Sequence, residues 1–171
     1  MADTTSPETS GESSGGEQAP LHAAIRCWLA RAHPSPRQAE SEWANGGVAM
    51  LPLGKLFDAV RVPGQLIHAA VGSDDPHTVD EALSNWLRGP VIRDTRIGSG
   101  SYYVLVPPDS QWEGPAPRLR EGTYLTVPRI GRQMSPVTSW AVPPPRRGQL
   151  CDPAHLAALL GTAEPLKAIG P

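Results

Sequence analysis

The sequence predicts an α/β or α+β domain, a single mixed β-sheet flanked by helices, and three observations carry that expectation. The chain has 171 residues with 39% hydrophobic content, enough for one ordinary core and too little for two large ones. Its 20 prolines and 17 glycines cut it into short elements, which excludes an extended helical bundle. Stretches of helical periodicity alternate with short apolar or alternating runs of strand character.

Residues 1–19 come first. They hold Asp3, Glu8, Glu12 and Glu17, no Lys or Arg, and little beyond Ser, Thr, Gly, Pro and Ala. Such a composition buries too little apolar area to offset chain entropy, so the segment is expected to be a disordered acidic tail. Leu21, Ala24, Ile25, Trp28, Leu29 and Ala32 then follow a helical spacing, and the helix must end before His33-Pro34. A shorter helix is expected over Arg37 to Ala44, stopped by Gly46-Gly47. Strands are expected at Val48–Leu53 and Asp58–Val62.

Asp75-Pro76 opens the next helix, with Thr78 and Glu81 in capping-box spacing and Val79, Ala82, Leu83, Trp86 and Leu87 on one face; Gly89-Pro90 stops it. Trp28 and Trp86 are assigned to the core on this ground. Further strands follow at Val91–Arg93, Tyr102–Val106, Thr123–Val127 and Thr138–Val142, with Pro107-Pro108 and Pro143-Pro144-Pro145 closing strands at the sheet margin. The last helix has Asp152 as N-cap, Pro153 in its first turn, an apolar face of Leu156, Leu159 and Leu160, and Gly161 at its end. The folded domain thus covers 20–161, and 162–171 is expected to be a flexible end.

Charge is distributed unevenly. Residues 20–87 hold five bases and seven acids, whereas residues 88–147 hold nine arginines against Asp94, Asp109, Glu113 and Glu121. No apolar run approaches the roughly 18 residues of a membrane span, and the first ten residues lack a basic or apolar region, so a soluble cytoplasmic protein with no membrane partner is expected. Cys27 and Cys151 are too few for a disulfide framework or a structural zinc site. His22, His33, His68, His77 and His155 have no metal-ligand spacing, and no G-x-S-x-G elbow or nucleotide-cofactor motif is present, so no cofactor is assigned.

Three stretches could carry chemistry. Ile97 to Ser101 is a small-residue turn before a strand; its backbone amides could approach a phosphate, although an ordinary hairpin turn is the simpler reading. Asp58 is a single carboxylate in an apolar strand, where alternation sends Asp58, Val60 and Val62 to one face and Ala59 and Arg61 to the other; a lone Asp serves a cap or an arginine pair before it serves a metal. Arg118 and Arg120 precede one strand, Arg129 and Arg132 follow it, and Arg146-Arg147 follow the next. If turns at related sheet margins bring these together, they form a phosphate-binding surface; otherwise they are solvated charge.

The order of LPLGKLFDAV, RIGSGSYYVLVPP, EGTYLTVPRI and SWAVPPP resembles the Prim-Pol domain of bifunctional DNA primase/polymerases, in the archaeo-eukaryotic primase superfamily, over about residues 20–160. The resemblance implies a remnant metal position at Asp58, whose partner acid falls on Val60. It implies a phosphate-contacting motif at Ser99, Gly100 and Ser101, where the family's histidine falls on Tyr103, and it places no third acid in Ala116 to Arg120. With two of three metal carboxylates gone, polymerase or primase activity is not expected. The expectation is a non-catalytic domain that binds nucleic acid or nucleotide through Arg118, Arg129, Arg132, Arg146 and Arg147, with Tyr103 and Trp140 available for base stacking. A protein-interaction adaptor on the same scaffold is the alternative.

Overall fold

The computed structural model describes residues 10–163. In chain order the elements are α1 (Ser10–Ala30), α2 (Pro36–Gly46), β1 (Val48–Pro52), β2 (Asp58–Pro63), α3 (Gly64–Val71), α4 (Pro76–Leu87), β3 (Val91–Asp94), β4 (Ser101–Val106), β5 (Arg118–Leu119), β6 (Tyr124–Pro128), β7 (Thr138–Val142) and α5 (Pro153–Gly161). None of these helices is long and apolar enough to cross a membrane.

The architecture is α+β, but its strands form two sheets instead of one mixed sheet. Five strands are ordered β5-β2-β4-β3-β7, and β1 pairs separately with β6. Every pairing is antiparallel. The unit β2-α3-α4-β3 brings β2 and β3 back parallel to each other, yet β4 inserts between them and pairs antiparallel with both.

Both faces of the five-stranded sheet are covered, which is why β2 reads as a nearly continuous apolar run. Val60, Val62, Val91, Val104 and Val106 meet Leu66 and Ile67 of α3, Val79, Leu83 and Leu87 of α4, and Leu156 and Leu160 of α5. On the opposite face Ala59, Ile92 and Leu105 meet Ile25 and Leu29 of α1, Trp43 of α2, and inward residues of β1 and β6. Trp43 fixes the second layer: its indole is buried and Nε1 donates to the Val127 carbonyl of β6 at 2.9 Å.

Local chemistry sets most helix ends. The Asp75 carboxylate accepts from the Thr78 amide at 3.0 Å, and that of Asp152 from the Ala154 amide at 2.9 Å, so the expected Asp152 cap is in place, while α4 is capped by Asp75, with Thr78 inside the helix instead of opening a capping box with Glu81. The α1 helix ends as expected before His33-Pro34 by tightening into i to i+3 bonds, Arg31 to Trp28 and Ala32 to Leu29. Its start differs: α1 takes in residues 10–19, which were assigned to the tail, and carries Pro20 inside it. Residues 1–9 of that tail, and 164–171 at the other end, lie outside the described residues.

The α4 helix ends at Leu87, before Gly89-Pro90 as expected, on a left-handed Arg88 with φ 55°. Gly89 is a close-approach position, where a Cβ would stand 2.6 Å from the Cys151 amide nitrogen. Trp86 is 45% exposed rather than core, because its Nε1 reaches sideways to the His155 carbonyl at 2.8 Å and leaves the ring at the α4–α5 margin. The helix α3 was not anticipated; Gly64 is needed at its start because a Cβ would stand 2.1 Å from the Ser99 carbonyl oxygen.

Candidate functional site

Strand alternation separates the residues that were expected to share a site. Asp58 lies on the α3–α5 face with Val60 and Val62, opposite Val106 in register. Tyr103 pairs with Arg61 on the other face. The remnant metal position and the expected phosphate position therefore stand on opposite sides of the sheet.

Asp58 is 2% exposed and faces Arg118 of the edge strand β5, with Oδ2 3.4 Å from Nε. Neither Asp58 Oδ1 nor Arg118 Nε has a hydrogen-bond partner among the described residues. Burial pushes the Asp58 carboxyl above its usual range; Arg118 opposes that shift and the charge of Asp109 reinforces it. Asp58 is thus the arginine-paired carboxylate of the simpler reading, and Arg118 is committed to it. Arg118 and Arg120 also line an open depression of about 660 Å³ beside Trp112 and Asp109.

The expected arginine cluster is dispersed. Arg118 belongs to β5 at one edge of the five-stranded sheet, while Arg146 and Arg147 follow β7 at the other. Four interstrand steps, roughly 19 Å, lie between those edges. Arg129 and Arg132 follow β6 of the second sheet, and Arg129 places Nη1 3.2 Å from the Met134 sulfur. Arg147 lies over α1 beside Arg31 and Cys27.

The Ser99-Gly100-Ser101 run is a tight β3–β4 turn. The Gly100 amide donates to the Ile97 carbonyl at 2.8 Å, and the Gly100 carbonyl accepts the Gly64 amide at 2.8 Å at the start of α3. Gly100 has φ 82°, and a Cβ there would meet the Asp94 carbonyl oxygen at 2.6 Å. The small residues are explained by these close approaches, and only Ser101 lines the neighbouring hollow. Cys151 is no nucleophile at neutral pH: burial pushes its thiol up to about 12.

A different constellation does converge. Between the Tyr103 face of the five-stranded sheet and strand β6 lies a cleft of about 310 Å³, lined by Arg61, Asp94, Arg96, Tyr103, Tyr124 and Thr126 among others. A second hollow of about 490 Å³ opens from it over the β3–β4 turn and shares Arg61, Asp94, Arg96 and Tyr103. Asp94 is 7% exposed and gives both oxygens to Arg96: Nε stands 3.0 Å from each, Nη2 is 2.6 Å from Oδ2, and the Arg96 amide adds a bond of 3.0 Å to Oδ1. These bonds hold the Asp94 carboxyl below its usual range. Arg61 is exposed and has no ion-pair partner among the described residues. Tyr124, 59% exposed, stands at the mouth.

Arg61, Arg96 and Tyr124 were not among the expected site residues. The signal for Arg61 was present, since a charged side chain at the centre of an apolar strand must face a gap in the opposing layer. Arg96 is placed by Asp94 two residues before it in the β3–β4 turn, whereas Tyr124 depends on β6 pairing with β1, which no local pattern encodes. Comparison of the chain with protein-family models, with curated proteins and with solved structures finds no match in any of the three.

Proposed function

We propose that this chain is a non-catalytic, Prim-Pol-like α+β domain that binds a phosphate-bearing nucleotide or nucleic-acid ligand in the cleft between the five-stranded sheet and β6. One observation carries the reading: Arg61, a guanidinium without an ionic partner among the described residues, stands beside its cross-strand neighbour Tyr103 at a concave site. An uncommitted arginine offers forked donors to a phosphate, and an adjacent phenol ring offers a stacking surface for a base. The dispersal of Arg118, Arg129, Arg132, Arg146 and Arg147 moves the ligand site from the sheet margin to this face. The carboxylate chemistry argues against phosphoryl transfer, because Asp58 lies on the far face and Asp94 is saturated by Arg96. By its resemblance such a domain is assigned to DNA replication.

The test is calorimetric titration with mononucleotides, nucleoside triphosphates and a short single-stranded oligonucleotide, repeated with Arg61→Gln. Saturable binding that falls about ten-fold in the variant, at unchanged melting temperature, supports the reading. Silence from every probe at low salt would transfer the chain to the protein-adaptor class.

A further inference from the structure

The charge inside the cleft selects among phosphate ligands. Two guanidiniums, Arg61 and Arg96, and one carboxylate, Asp94, are the charged groups of both adjoining hollows, leaving one net positive charge. Arg96 is held by the Asp94 carboxylate through Nε and Nη2, so of the two Arg61 is the one without an ionic partner among the described residues. The remaining lining is hydroxyl and apolar: Thr126, Thr138, Tyr103, Ile92.

A di- or triphosphate concentrates several negative charges and is ordinarily bound with cations bridging its oxygens. Among the described residues the cleft offers no oxygen set to hold such a cation, because both oxygens of Asp94 face Arg96 and no second carboxylate lines either hollow. Among the described residues no three His, Cys, Asp or Glu side chains are grouped for metal ligation. A single phosphate matches the one available guanidinium. The inner cleft, at about 310 Å³, lies at the small end of ligand pockets, which run from roughly 300 to 1,000 Å³.

On these grounds, and resting on the binding reading above, we infer that the ligand is a nucleoside 5′-monophosphate held without a metal ion, its phosphate on Arg61 and its base against Tyr103. Triphosphates are disfavoured because, among the described residues, the cleft offers no free carboxylate set to hold their bridging magnesium.

The experiment titrates the full chain with adenosine, AMP, ATP and inorganic phosphate, with and without Mg²⁺, and repeats the series with the other three mononucleotides. AMP or another mononucleotide is expected to bind at least about ten-fold more tightly than the nucleoside or phosphate alone, unaffected by Mg²⁺, and ATP is expected to bind no more tightly than AMP. Arg61→Gln removes this preference for the mononucleotide over the nucleoside. ATP binding that exceeds AMP and depends on Mg²⁺ overturns the monophosphate inference and leaves the cleft reading standing. No binding of any phosphate-bearing probe overturns both. Undiminished mononucleotide binding in Arg61→Gln, with the fold intact, removes the phosphate from the cleft and overturns the inference by another route.

Discussion

Asp58 and Asp94 are both buried carboxylates beside an arginine, and they are expected to respond to pH in opposite senses. Asp94 accepts several well-aligned bonds from Arg96, so its folded pKa lies below the ordinary 3.8. Its contribution to stability is present above 3.8 and lost as pH falls through the depressed value. Asp58 has its arginine in poor hydrogen-bonding geometry, so burial dominates and its folded pKa lies above 3.8. That contribution is present below 3.8 and lost as pH rises through the raised value. Denaturant unfolding over the acid range checks both signs. The deficit of Asp94→Asn relative to wild type should shrink as pH drops below 3.8, whereas Asp58→Asn should improve relative to wild type as pH climbs above it. Parallel slopes in the two variants would refute the assignment. Asp58→Ala at neutral pH is the harsher change, because beyond the charge it empties part of the buried space under β5 beside Arg118, and it should be less stable than Asp58→Asn.

At the scale of elements, caps and close approaches make separable predictions. Asp75→Ala and Asp152→Ala each remove the acceptor for an early helical amide and should cost about 1 kcal/mol in thermal unfolding. Gly64→Ala drives a methyl group into the Ser99 carbonyl and should cost about 1–3 kcal/mol, while Gly46→Ala, with nothing within 4 Å of the new Cβ, should be neutral or slightly stabilising. An equal effect at the two glycines would contradict the contact between α3 and the β3–β4 turn. The same contrast explains what could be read from sequence. The Asp-Pro starts of α4 and α5 and the apolar strands are local patterns and were legible. The helix α3 was hidden by a Pro-Gly pair whose purpose is a contact 35 residues away in the chain, at Ser99. Strand β5 has only two residues and no period to detect. The division into two sheets, and with it the cleft, follows from β6 choosing β1 as partner, a long-range pairing that local spacing does not specify.

Across the whole molecule the placement of arginine decides how binding responds to salt. Each phosphate neutralised on a single strand contributes about 0.7 to the log–log slope of affinity against salt. Five margin arginines acting on one strand would give a slope of roughly 3.5. Here Arg118 is occupied by Asp58, and Arg146 and Arg147 lie beyond the opposite edge strand. Arg129 and Arg132 follow a strand of the other sheet. No single strand passing through the cleft meets them together, and Arg61 is the cation that remains. The expected slope for a short single-stranded oligonucleotide is therefore about 0.7, nearly unchanged when Arg146 and Arg147 are both replaced by Gln and close to zero in Arg61→Gln. Fluorescence polarisation over a salt series measures it directly. A slope above about three that falls with the Arg146→Gln, Arg147→Gln double substitution would restore the arginine-rich margin as the binding surface and displace the cleft.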